Sequence, residues 1–74
     1  MTQERKEEIF RERLRQFRLE SDKSTYTIFK NTNIPPFVIK DIENGNRPKG
    51  CLVQTVFKLL NEYNRTAEEL FKGL

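Results

Sequence analysis

Histidine and tryptophan are absent from this 74-residue chain, and cysteine occurs once. Without histidine, and with no second cysteine beside Cys51, no zinc site can be assembled. A lone cysteine cannot close an internal disulfide, which suits a reducing cytoplasm. No apolar run approaches membrane length, and the charged N-terminus is unlike a signal peptide. Catalysis has few candidates. Cys51 has no base to serve it, and Asp41 and Glu43 point to different faces of any helix that carries both. These absences predict a soluble cytoplasmic protein that is not an enzyme. It should have no metal, cofactor, small-molecule substrate or membrane partner.

Apolar residues (35%) barely outnumber charged ones (34%). One small domain with a thin core follows, of modest stability unless it dimerises. Six Phe and two Tyr supply much of the apolar volume. The formal charge of +3 is compatible with a polyanion partner. Its location says more than its size. The block Glu4–Glu20 is nearly balanced, whereas Lys40, Arg47 and Lys49 lie close together with only Asp41 and Glu43 among them.

The spacing of apolar residues predicts an all-α domain of five short helices. Residues 1–8 read as a charged N-terminal extension or a frayed helix start, and residues 9–74 as the folded domain. Phe10, Leu14 and Phe17 recur at i, i+4, i+7 and give one face of a first helix, Ile9 to Glu20. Arg11, Arg13 and Arg15 are expected on its solvated side, in pairs such as Glu7 with Arg11. Ser24 is the N-cap expected for a second helix, Thr25 to Thr32. Thr25–Phe29 alone has strand character, but an isolated strand would have nothing to pair with.

Asn33 suits the left-handed turn that follows. Ile34 precedes a proline and should be extended. Pro36 can open a third helix without loss, because the N–H it lacks would be unpaired there. That helix should run to Asn44, with Val38, Ile39 and Ile42 inward and Gly45 at its left-handed end. A loop containing Pro48 and Gly50 separates it from a fourth helix, Cys51 to Asn64, with a broad apolar stripe from Leu52 to Tyr63. Thr66-Ala67-Glu68-Glu69 is a capping box that opens a short last helix.

These pieces, in this order, resemble the lambda-repressor-like helix-turn-helix family (Cro and phage-repressor type, also called XRE-like). The residues that carry the resemblance are Arg13–Arg18, Ile34, Ile39, Ile42-Glu43-Asn44-Gly45 and Thr66–Phe71. It spans roughly Phe10 to Phe71, and the loop after Gly45 is longer than the family pattern. It implies a five-helix domain that binds duplex DNA, commonly as a dimer. In such a domain Arg18 pairs with Glu43 as a structural salt bridge. The recognition helix then exposes Pro35, Pro36, Phe37, Lys40 and Asp41.

Lys40 has the donors to reach guanine O6 and N7, Phe37 suits a thymine methyl, and Asp41 can accept from a cytosine amino group. Thr25 stands where the family has a phosphate-touching glutamine. Asn44, Asn46, Arg47 and Lys49 lie just past the third helix, where phosphates would run. Phe29 departs from the family, which keeps a small residue there. It must swing out or force the second and third helices apart.

The expected function is therefore a DNA-binding transcriptional regulator, repressor-like and of phage or mobile-element type. The alternative is a protein-interaction or antitoxin-like adaptor module that offers an apolar Pro35-Pro36-Phe37 tip to a partner. Leu59, Tyr63, Leu70, Phe71 and Leu74 exceed what a small core should bury, which predicts a homodimer through the C-terminal helices.

Overall fold

The computed structural model of the chain describes residues 2–46 and 52–74. Arg47, Pro48, Lys49, Gly50 and Cys51 lie outside the described residues, as does the side chain of Leu52. The fold is all-α: α1 Gln3–Glu20, α2 Thr25–Thr32, α3 Pro36–Asn44, α4 Leu52–Tyr63 and α5 Ala67–Phe71. No strand occurs among the described residues.

α1 begins well before Ile9, where the apolar pattern starts. Thr2 caps it, its hydroxyl accepting from the Arg5 N–H at 3.1 Å. Glu4 in the first turn suits the positive end of the helix dipole. The first two turns of α1 are therefore helical without a core to pack on. The periodicity could not reveal them.

α2 and α3 have the bounds expected from the sequence. The Ser24 hydroxyl accepts from Thr27 N–H at 3.1 Å. Asn33 ends α2 in the left-handed region (φ 63°), its N–H donating to Phe29 O at 2.8 Å. Gly45 ends α3 at φ 77°. Asn46 N–H donates to Asp41 O at 2.8 Å and Gly45 N–H to Ile42 O at 3.2 Å. This is the double bond pattern that satisfies the last carbonyls of a helix. Thr66 and Glu69 form the reciprocal capping box of α5.

The core gathers Leu14 and Phe17 from α1, Ile28 from α2, Ile34 from the turn and Val38, Ile39 and Ile42 from α3. α4 adds Val56, Leu59, Leu60 and Tyr63, and α5 adds Leu70. α1 lies across the bundle and packs on α3, α4 and α5, while α2 packs on α3 and α4. Phe29 is half-buried and outside this core, and α2 and α3 still pack together. Phe29 is thus accommodated without joining the buried core.

Polar ties fix the layers. Lys23 Nζ donates to Glu62 O (2.9 Å) and Oε2 (3.1 Å), and Asn31 Nδ2 donates to Glu62 Oε2 (2.6 Å), so α4 holds both ends of α2. Arg65 bonds Glu20 and Glu69, and its guanidinium lies 4.9 Å from the Phe17 ring centroid.

Candidate nucleic-acid interface

One ion pair sets how α3 sits on α1. Arg18 Nε donates to Glu43 Oε2 at 2.7 Å and Nη2 to Oε1 at 3.1 Å, with the side chains 11% and 7% exposed. A parallel fork of this kind fixes direction as well as distance. Hydrogen bonding to Glu43 holds the Arg18 guanidinium protonated beyond its ordinary range. Tyr63 packs beside the pair. Burial, then the Glu43 carboxylate, pushes its phenol above the ordinary value of 10.0.

With Glu43 tied to α1 and Val38, Ile39 and Ile42 in the core, the opposite side of α3 faces solvent. Pro36, Phe37, Lys40 and Asn44 are exposed, Phe37 at 65%. Asn46 is exposed just past the helix, while Asp41 and Thr25 are half-buried. Lys40 forms no ion pair with any described residue. It precedes Glu43 by three residues, so it lies on the flank of α3 that turns toward α1. Asp41 lies about 200° around the helix from Glu43, away from that flank. The structure therefore gathers Pro36, Phe37, Lys40 and Asn44 on one surface, with Asn46 beyond its end and Asp41 at its far edge. Arg47 and Lys49 lie outside the described residues.

The arginines of α1 differ from the expected solvated set. Arg13 Nη1 donates to Leu70 O at 2.9 Å and Lys72 O at 2.7 Å, so it caps the C-terminal end of α5. The expected Glu7–Arg11 ion pair does not form. Arg11 instead crosses to α3: a Cβ built on Gly45 would stand 3.3 Å from its Cδ, Nε and Cζ. Only Arg15 is exposed as expected. The sequence did hold a signal for Arg11. Arg11, Arg15 and Arg18 stand at i, i+4, i+7 and so share one flank of the helix, the flank that meets α3.

The predicted dimer surface also needs correction. Leu59, Tyr63 and Leu70 are buried within one copy, because α4 and α5 close on α1. The exposed apolar residues there are Val53, Phe57 and Phe71. Together with Phe10, Val56 and Leu74 they line a groove of about 570 Å³ beside the first two turns of α1, with Lys6 and Glu7 at its edge. Phe10 stacks on Phe71 at one side, with centroids 5.7 Å apart.

No described group of His, Cys, Asp and Glu residues could hold a metal ion. No helix among the described residues is long and apolar enough to cross a membrane. No family model, curated protein or solved structure matches the chain.

Proposed function

We propose that the chain is a DNA-binding transcriptional regulator, repressor-like and of phage or mobile-element type. It would be a cytoplasmic binding protein rather than a catalyst. In this reading α2 and α3 are a helix-turn-helix, and α3 enters the major groove. The observation that carries it is the Arg18–Glu43 clasp, which leaves Lys40, Phe37 and Asn44 facing outward from a helix whose other side is core. Lys40 contacts a base edge or a phosphate, Phe37 a thymine methyl, and Asn44, Asn46 and Thr25 the backbone. With prolines at its start, α3 brings few donors to base edges, so backbone contacts supply most of the affinity.

A salt titration of duplex binding tests this reading. Each neutralised phosphate contributes a slope of about −0.9 in log affinity against log salt. Lys40→Gln should lower the magnitude of the slope by about that amount and weaken binding several-fold. Absence of duplex binding by the wild-type protein at low salt removes the reading.

The groove beside α1 supports a homodimer as the DNA-binding form. An isologous contact requires a patch that is its own complement. Here the aromatics at the groove can fill its hollow in a second copy. Its edge carries one cation and one anion, Lys6 and Glu7, neither ion-paired among the described residues.

Of the Pro35-Pro36-Phe37 tip, Pro35 is half-buried, but Pro36 and Phe37 are exposed and favour a second reading, an adaptor that binds an apolar surface of another protein. Phe37→Ala distinguishes the two. Loss of a protein partner with duplex binding intact supports the adaptor, and loss of duplex affinity supports the regulator.

A further inference from the structure

Arg11 is the cation whose surroundings fit neither a solvated charge nor a structural clamp. Its i−4 neighbour Glu7 does not engage it, and Glu8 and Glu12 lie against Arg5 instead. Arg11 makes no hydrogen bond or ion pair with any described residue, yet it is half-buried. Its Cδ, Nε and Cζ lie beside Gly45, 3.3 Å from where a Cβ on that residue would stand. Two demands therefore meet at Gly45. Its φ of 77° favours a residue without Cβ, and the missing Cβ leaves the space that Arg11 occupies.

A cation at the C-terminal end of a helix is favoured by the dipole. That accounts for the location of Arg11 but uses none of its N–H donors. The last carbonyls of α3 are served already by Gly45 and Asn46 N–H groups. The guanidinium thus lies beside Gly45 with its donors unused by any described residue.

We propose that Arg11 is a phosphate-binding residue, holding the DNA backbone where it passes the C-terminal end of α3. The proposal rests on the duplex-binding reading and adds a contact supplied by α1. The guanidinium fork matches two phosphate oxygens. Asn44 and Asn46 are exposed on either side of Gly45 and can donate to the same backbone. Arg15 is exposed one turn further along the same flank, and Lys40 lies on the side of α3 that turns toward it. Arg11, Arg15 and Lys40 thus offer cations from both α1 and α3. Asp41 is on the other side.

The test is fluorescence anisotropy of a labelled random-sequence duplex across a salt series, with wild type, Arg11→Gln, Arg11→Lys and Lys72→Gln. Lys72 is exposed near the carbonyls that Arg13 caps. Arg13 lies about 200° around α1 from Arg11, so Lys72→Gln removes the same charge from the opposite flank. Arg11→Gln should reduce the magnitude of the salt slope by about 0.9, equivalent to about an eightfold loss of affinity at 0.1 M salt. Arg11→Lys should keep the slope and lose only part of the affinity, since it keeps the charge without the fork. Lys72→Gln should leave the slope unchanged. Thermal unfolding of each variant separates loss of contact from loss of fold. Equal slopes for wild type and Arg11→Gln, or equal reductions in Arg11→Gln and Lys72→Gln, overturn the proposal and leave the duplex-binding reading standing. Absence of wild-type binding at low salt overturns both.

Discussion

The flank of α1 that meets α3 and the flank that meets α5 hold their neighbours by different means. Toward α3 the contacts are a part-buried guanidinium–carboxylate fork and a guanidinium beside a glycine. Toward α5 they are a ring stack between Phe10 and Phe71, a cap from Arg13 to two carbonyls, and an apolar groove left open beyond them. The first kind of contact is directional and fixes how α3 is turned. The second is largely non-directional, and its unfilled part leaves apolar surface in water. One helix thus orients a polar surface on one side and leaves a sticky one on the other.

The largest expected effect breaks the orienting side. Arg18→Ala or Glu43→Ala alone should cost up to about 3–5 kcal/mol in urea unfolding, because each strands a part-buried charge. The double replacement Arg18→Met with Glu43→Leu should recover most of that stability, since an apolar pair of similar volume can substitute. Single replacements costing less than 1 kcal/mol would mean that the fork does not fix α3.

The adhesive side is tested by association rather than stability. Val53 and Phe57 are 69% and 54% exposed, so Val53→Asp with Phe57→Asp should leave the unfolding midpoint of dilute, monomeric protein nearly unchanged. Self-association in sedimentation velocity should weaken at least about tenfold, equivalent to about 1.4 kcal/mol. A wild-type protein that sediments as a monomer at high concentration would contradict the dimer.

The smallest effect concerns the start of α5, which carries part of the groove. Thr66→Ala should cost about 1 kcal/mol, the usual value of a lost N-cap. Glu69 accepts from the Thr66 N–H and from Arg65, which together hold its carboxyl below the ordinary value of 4.5. A depressed carboxyl stabilises the fold above its unfolded pKa, and that contribution disappears as pH falls through the folded value. Thermal midpoints between pH 5 and pH 3 should therefore fall less steeply in Glu69→Gln than in wild type. Equal pH dependence would show that the capping box carries no linkage.

Much of the fold was legible because its signals are local. Ser24, Asn33, Pro36, Gly45 and the Thr66–Glu69 box each act within one turn of themselves, and α2, α3 and α5 begin and end where those residues stand. The first turns of α1 were not legible as a helix. Gln3, Lys6 and Glu7 line a groove instead of filling a core and carry no apolar period. Side-chain exposure was legible where α3 alone decides it, at Phe37, Lys40 and Asn44. It was not legible on α1, where the partners are remote in sequence. Arg13 reaches carbonyls 57 and 59 residues away, and Arg11 reaches Gly45. Pairing rules for neighbours on one helix cannot see either contact.

By itself the sequence determined an all-helical chain, the bounds of its short helices and which side of each faces inward. Those depend on caps, turn residues and apolar spacing, all short-range. Only the tertiary structure decided which arginines of α1 serve as clamp, cap or free donor, and which apolar residues remain outside. Those roles depend on where distant carbonyls, a carboxylate and a side-chain-free glycine come to rest against the same helix.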